Sequence, residues 1–290
     1  MFEIICTIFA LLIIIGVWVI LYDTHHFVIR RYPFSSGKIK KPVKLVMLSD
    51  LHNYQYGKDN VQLLAAIEKE APDAVVLAGD MITAGKKEKF EKTVEFLEKI
   101  KDKYPLYYAY GNHEHKIKLY TDHYGDLGER YEKALLKAGI TPLCNAHVSL
   151  TEWGITIYGL EIGHEYFQRF KTKPFPEKYL ESLIGAKDKD SFCVLLAHNP
   201  EYFPEYAEWG ADLVLSGHVH GGIMRLPFFG GVISPAIRLF PKYDGGLFVE
   251  KDSNMVLGRG IGTHSPNVRM FNPGELVVIE LSPENANEPD

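Results

Sequence analysis

Eight polar side chains in this chain are of types that could bind metal and move protons: Asp50, His52, Asp80, Asn112, His113, His198, His218 and His220. Carboxylate, imidazole and amide groups without thiolate form a donor set that suits Mn, Fe or Zn. Each piece alone carries little. A Gly-Asp is usually a turn, Gly-Asn-His is ordinary loop chemistry, and a lone His198 reads first as a satisfied core histidine. What joins them is placement, since each group closes a short apolar run. Asp50/His52 and His218/His220 are two residues apart, so in extended backbone both members of a pair point the same way. One strand end would then offer two ligands to one metal. Gly79, Gly111 and Gly217 allow the tight turns and close backbone approach that such a site requires.

The apolar runs themselves predict the elements that carry these groups. Residues 43–49, 73–79, 106–111, 192–197 and 212–217 are of strand length and largely apolar, as expected of strands covered on both faces. Helical spacing links Val61, Leu64, Ala65 and Glu68, and again Phe90, Val94, Leu97 and Ile100. Residues 155–160 predict a further strand, and 247–249, 255–257 and 276–281 predict more, enough for a second sheet. Alternating strands and helices argue for an α/β domain. In open α/β sheets, ligands bind beyond the carboxyl ends of strands, which is where all eight residues fall.

Before this domain lies different material. Phe2 to Tyr22 is about 21 residues with Glu3 as its only charge. As a helix it spans about 30 Å, the thickness of a bilayer's hydrocarbon core. It lacks the basic leader and short apolar core of a cleaved signal peptide, and is expected to be an uncleaved anchor. Arg30, Arg31, Lys38, Lys40 and Lys41 follow it and no Lys or Arg precedes it, which predicts a single-pass protein of the cell membrane with its domain in the cytoplasm. The expected divisions are an anchor (1–22), a basic juxtamembrane linker (23–42), one domain (43–283) and a polar tail (284–290).

Composition narrows the function classes. The 290 residues carry a net charge of −5, 46% hydrophobic and 12% aromatic residues, which excludes a disordered or collagen-like chain. Net acidity disfavours a sequence-independent grip on nucleic acid, so no nucleic-acid partner is expected. Three scattered cysteines, Cys6, Cys144 and Cys193, are too few for a disulfide framework or a thiolate metal site.

Taken in order, Asp-x-His, Gly-Asp, Gly-Asn-His-Glu, His and Gly-His-x-His resemble the motifs of the calcineurin-like metallophosphoesterase superfamily. The resemblance runs from about Val43 to Leu281. With the anchor and the distal RGIGTHSPNVRMFNPGELVVIEL, it looks like the membrane-associated branch, which includes YkuE- and YaeI-type phosphodiesterases and some UDP-2,3-diacylglucosamine pyrophosphatases. It implies a four-layer α-β-β-α sandwich with two mixed β-sheets, after one N-terminal transmembrane helix. It also implies two divalent metal ions, with manganese favoured. Asp50, His52, Asp80 and His220 would hold one metal, and Asp80, Asn112, His198 and His218 the other, with Asp80 bridging. His113 would be catalytic, a proton donor or transition-state stabiliser near the leaving oxygen. Glu114 is expected to orient His113 or to face solvent. Two cations about 3.5–4 Å apart can activate a hydroxide for in-line displacement at phosphorus.

The second motif continues Asp80-Met81-Ile82-Thr83 and lacks the Val-Asp-Arg-Gly of Ser/Thr protein phosphatases, which disfavours that activity. Three loops could select substrate: 115–120 with its cations, the aromatic and basic 161–176 as a lid, and the apolar 221–235 beside the bilayer. Arg259 and Arg269 could instead pin the distal loop, and His25, His26, His115, His123, His147, His164 and His264 read mostly as surface residues. A tethered site raises the effective concentration of membrane substrates. The reading is therefore a membrane-anchored phosphohydrolase acting on a phosphodiester or pyrophosphate in a phosphorylated lipid or envelope precursor. By analogy with the family, UDP-2,3-diacylglucosamine is the specific candidate. The competing readings are a nucleotide or nucleic-acid phosphodiesterase of the same superfamily and a non-catalytic membrane scaffold.

Overall fold

A computed structural model describes residues 1–86, 88–168, 172–222, 224–226, 230–233, 239–263 and 267–284. The chain starts with helix α1 (Phe2–His25) and runs through β1 (Phe27–Ser35), β2 (Val43–Leu48), α2 (Val61–Glu70), β3 (Ala74–Ala78), α3 (Glu91–Lys101) and β4 (Leu106–Ala109). Helices α4 (Asn112–Leu119), α5 (Thr121–Tyr124) and α6 (Leu127–Lys137) follow. The second half contains β5 (Ala146–Leu150), β6 (Ile155–Leu160), α7 (Tyr179–Ile184), β7 (Phe192–Ala197), α8 (Phe203–Trp209), β8 (Leu213–Ser216) and the hairpin of β9 (Met224–Leu226) with β10 (Gly230–Ile233). It ends in β11 (Gly246–Glu250), β12 (Ser253–Leu257) and β13 (Gly274–Ser282).

Two mixed sheets result, ordered β1-β13-β2-β3-β4 and β11-β12-β8-β7-β6-β5. Strand alternation divides the core. Leu45, Met47, Val76 and Ile279 of the first sheet meet Ile157, Val194, Leu196 and Leu215 of the second. Val46, Leu48, Val75 and Leu77 point the other way, onto Leu63, Ile67, Val94 and Leu97 of α2 and α3. Leu195 and Val214 do the same for Phe203 and Tyr206 of α8. Because the central strands are buried on both faces, their sequences are continuously apolar. The α-β-β-α layering is the one expected from the sequence.

Three expectations change. Residues 27–35, read as linker, form edge strand β1, paired in parallel with β13 from Phe27↔Gly274 to Ser35↔Ser282. Its side chains alternate, and Pro33 is tolerated because an edge strand needs only one ladder. The basic cluster is spent within the domain: Arg30 pairs with Glu275, Arg31 with Glu70, and Lys38 with Asp212. In α2 the buried face is Leu63, Ile67 and Glu70, while Val61 is exposed. Helix α1 is 24 residues long, with a mean hydropathy of 3.1 over its most apolar stretch, long and apolar enough to cross a membrane.

Candidate metal centre

Five parallel strands in two sheets direct their carboxyl ends to one place. β2 leads to Asp50 and His52, β3 to Asp80, and β4 to Asn112 and His113 at the start of α4. From the other sheet, β7 leads to His198, and β8 to His218 and His220. Backbone bonds tie these ends together: Asp50 N–H donates to Gly79 O at 2.9 Å, His52 N–H to Asp80 O at 3.1 Å, and Gly217 N–H to His198 O at 3.1 Å. A Cβ added at Gly217 would overlap Asp50 Oδ2, and one at Gly111 would overlap Asp80 Oδ1. Only glycine lets the backbone approach the two carboxylates this closely.

Donor atoms of Asp50, His52 and His220 lie within 4.8 Å of one another, and so do those of Asp80, His198 and His218. His52, Asp80 and His113 form a third group by the same measure. His52 Nε2 is 3.0 Å from His220 Nε2, which is 3.3 Å from Asp50 Oδ1. His198 Nε2 is 3.0 Å from Asp80 Oδ2 and 3.9 Å from Asp50 Oδ1, and Asp80 Oδ2 is 3.9 Å from His52 Nε2, so Asp80 and His52 together connect the groups. Asp50 Oδ2 and Asn112 Oδ1 are buried without a hydrogen-bond partner, and His198 Nε2 lies beside Asp80 Oδ2 without a well-directed hydrogen bond. Buried polar atoms are rarely left so, and those of Asp50 and His198, in the donor cluster, suit a cation that takes their lone pairs, with Asn112 placed at the neighbouring strand end.

The hydrogen bonds also set the tautomers. His198 Nδ1 lies 2.7 Å from Ala78 O, an acceptor only, so Nδ1 carries hydrogen and the neutral ring offers the lone pair of Nε2. His113 is set the opposite way. Its Nδ1 accepts the Ala84 N–H at 2.7 Å, so Nε2 carries the hydrogen, 4.0 Å from Asp80 Oδ2. Imidazoles of one cluster are thus prepared for two tasks, lone pair at 198 and N–H at 113.

The electrostatics are those of buried charge with too few counterions. Burial, helped by the neighbouring Asp80, pushes Asp50 up to about 6 against the pull of His198. Burial acts the same way on Asp80, but His198, His113 and His52 outweigh it and hold its carboxyl well below the usual range. For His198, burial is overcome by Asp80 and Asp50, and its pKa rises to about 10, so without a cation Nε2 holds a proton that a bound cation would displace to reach the lone pair. Burial and the charge of His198 push His218 down to about 3, which keeps that ring neutral.

Backbone geometry departs from expectation. Asp50, His52, Asp80, His218 and His220 all have positive φ, between 51° and 75°. None is glycine, so each residue is strained, a state that persists where surrounding contacts hold it and that gathers at functional sites. The two-residue pairs are therefore not in extended backbone. Asp50 and His52 still share a group, whereas His218 and His220 fall into different ones.

Glu114 neither contacts the His113 ring in a hydrogen bond nor faces solvent. Buried at the third position of α4, it accepts the N–H groups of Gly111 (2.9 Å), Asp80 (2.9 Å) and Ile82 (3.2 Å) and the Tyr108 hydroxyl (2.8 Å). It clamps the β3 and β4 turns that present Asp80 and Asn112, and burial beside Asp80 pushes its pKa to about 7. Replacing Glu114 by Ala orphans four buried donors. Chemical denaturation of the full chain in detergent should show a loss of at least about 3 kcal/mol; a loss below about 1 kcal/mol would deny the clamp.

Around the cluster, His115 and Lys118 of α4 are drawn to Glu161, at 2.6 Å and 3.9 Å. In the expected lid, a short 3-10 turn (His164–Phe167) sets Phe167 edge-on to His218 at 5.3 Å; residues 169–171 lie outside the described residues. Of segment 221–235, the β9–β10 hairpin is described, while 223, 227–229 and 234–235 lie outside, as does His264. Arg269 is buried and donates to the carbonyls of residues 259, 260, 262 and 272, pinning the distal loop as expected. Asn272 was not singled out by its sequence. Its amide donates to His220 O and Gly222 O, both at 2.7 Å, and so supports the turn that carries His220.

The family model of the calcineurin-like phosphoesterases matches residues 43–222, which contain all eight of these residues. YkuE of Bacillus subtilis (strain 168), an uncharacterized metallophosphoesterase, is 25% identical over 255 residues, covering 83% of this chain and 80% of its own. Phosphodiesterase YaeI of Escherichia coli (strain K12) is 25% identical over 242 residues, covering 83% and 82%. Among solved structures, TT1561 of Thermus thermophilus is 14% identical, with a TM-score of 0.44 over 74% of this chain and 88% of that one. With more than half its length matched, this chain belongs to the calcineurin-like phosphoesterase family, the metal-dependent hydrolases of phosphoesters.

Proposed function

We propose that the chain is a membrane-anchored, dimetal phosphohydrolase that cleaves a phosphodiester or pyrophosphate bond in a lipid-linked or envelope precursor. The observation that carries this reading is the chain of donor groups in which Asp80 stands with His198 and His218 and again with His52, and His52 stands with Asp50 and His220, together with buried polar atoms that lack a well-formed hydrogen bond. Asp50, His52, Asp80 and His220 would hold one cation, and Asp80, Asn112, His198 and His218 the second. Two such cations would supply Lewis-acid polarisation of the phosphoryl oxygens and a nucleophile at neutral pH. His113 presents Nε2–H to the leaving oxygen, and Glu114 keeps the Asp80 and Asn112 turns in register. Similarity to a named phosphodiesterase favours a diester over a monoester. Helix α1 favours a substrate that resides in the membrane, since tethering keeps the site within a few nanometres of it. The excess of Lys and Arg after α1 favours the cytoplasmic side for the domain.

The full chain in detergent, assayed with bis(p-nitrophenyl) phosphate, should lose turnover to a chelator and regain it with added cation, Mn²⁺ above Fe²⁺ or Zn²⁺. Turnover that is indifferent to chelation would overturn the mechanism. In mixed micelles, UDP-2,3-diacylglucosamine should then be hydrolysed faster than a soluble UDP-sugar. Equal rates would remove the lipid preference and leave the hydrolase.

A further inference from the structure

The last turns of α1 are built into the domain. Val19, Asp23 and Thr24 are buried. Asp23 Oδ2 accepts the Asn272 N–H at 3.0 Å, Thr24 Oγ1 accepts the Arg269 N–H at 3.2 Å, and Thr24 O accepts the Tyr54 hydroxyl at 2.7 Å. Further up the helix, Met270 Cε lies 3.9 Å from where a Cβ on Gly16 would be. Gly16 is nine residues before the helix end, or about 13 Å at 1.5 Å per residue. Trp18 and Tyr22, exposed and stacked at 5.6 Å, are the residues that settle at a membrane–water interface. Gly16 lies about 3 Å deeper along the axis than Trp18. Met270 therefore reaches the level of the aromatic belt or below it.

The surface beside Met270 is apolar. Phe271, the next residue, is 45% exposed. Arg225 N–H donates to Met270 O at 3.0 Å, which brings in β9 with exposed Leu226. On the other strand of that hairpin, Val232 O accepts the Phe240 N–H, and Leu239 and Phe240 are 67% and 59% exposed.

We propose that this face, formed by Met270, Phe271, Leu226, Leu239 and Phe240, docks on the lipid bilayer and seats the domain in the headgroup layer. The proposal rests on the reading of α1 as a membrane span. Depth decides the occupant: a bilayer around α1 up to Trp18 must meet the loop that touches Gly16. Through this loop the docked face also adjoins the metal centre, because Asn272, directly after Phe271, holds the carbonyl of His220. A phosphodiester carried by a lipid headgroup would reach the cluster without leaving the membrane surface.

Nitroxide labels on the full chain test this. With Cys6 and the partly exposed Cys144 replaced by Ser, and Cys193 left buried, single labels at Phe271→Cys and Phe240→Cys are compared with Phe9→Cys on α1 and Lys189→Cys on an exposed loop. The protein is placed in phosphatidylcholine–phosphatidylglycerol vesicles, and collision with oxygen is compared with collision with a water-soluble nickel chelate. Positions 271 and 240 should show an oxygen-to-nickel ratio several-fold above that at 189, approaching position 9. Ratios at 271 and 240 equal to that at 189, with position 9 in hydrocarbon, overturn the docking and leave the span intact. A water-like ratio at position 9 would remove the span itself, and the docking with it.

Discussion

Asp80→Asn should lower phosphodiester turnover by more than about 100-fold and reduce bound cation below two per chain. The lower bound follows from outer-shell substitutions, which already cost 10–100-fold in metal affinity or activity, whereas Asp80 belongs to two donor groups, one with His198 and His218 and one with His52 and His113. The isosteric amide keeps an oxygen that can accept the backbone N–H of His113, which Oδ1 now accepts at 2.8 Å. It also removes a carboxylate whose neighbour Asp50 is pushed up to about 6 by burial and by the charge of Asp80. The cation-free protein should therefore stay folded, and the loss will appear in metal content and rate rather than in expression. Elemental analysis of the purified variant and turnover with the chromogenic diester decide the matter. Full turnover, or two cations retained per chain, would mean that Asp80 does not bridge.

The strands under the site were legible because burial on both faces leaves an unbroken apolar run, and a polar residue ending each run marks where the sheet stops. β7 and β6 occupy 192–197 and 155–160 as read from the sequence, and β2, β3, β4 and β8 lie within the expected runs. Strand β1 was hidden for the opposite reason. As an edge strand it alternates, and its Arg30 and Arg31 look like a juxtamembrane cluster until Glu275 and Glu70, far along the chain, are brought beside them. Composition near a candidate span cannot tell cations that face lipid from cations that pair within a fold. This weakens the charge argument for topology without reversing it.

Within the site, residue types were legible and backbone was not. Nothing local marks Asp50, His52, Asp80, His218 and His220 for left-handed φ, since that conformation is held by long-range bonds such as Asp50 N–H to Gly79 O. The division of His218 from His220 depends on those angles. Glu114 and Asn272 were opaque for a related reason: each serves backbone groups on other turns, a role with no spacing rule. The consequence is a site whose ligands are set by sheet topology and whose precision rests on a few buried polar clamps.

For a diester with an alkoxide leaving group, His113→Ala should slow turnover by about 10²–10³-fold, the usual loss when one preorganised donor to developing negative charge is removed. Neutral His113 already uses Nδ1 to accept the Ala84 N–H, so it cannot become imidazolium without breaking that bond. The group offered to the leaving oxygen is then a neutral Nε2–H, aimed from a buried ring that stands edge-on to His52 at 4.8 Å. A neutral donor stabilises charge and transfers no titrating proton, which separates it from a general acid. Two measurements follow. The loss should grow as the leaving group becomes more basic, small for p-nitrophenolate and large for an alkoxide. The pH–rate profiles of wild type and variant should run parallel, because no ionisation of His113 limits the rate. If the wild type shows an alkaline limb that vanishes in the variant, imidazolium is the reactive form and the Ala84 bond must open during turnover. Cation content should be unchanged in either case, since the Nε2 that carries hydrogen has no lone pair to bind with.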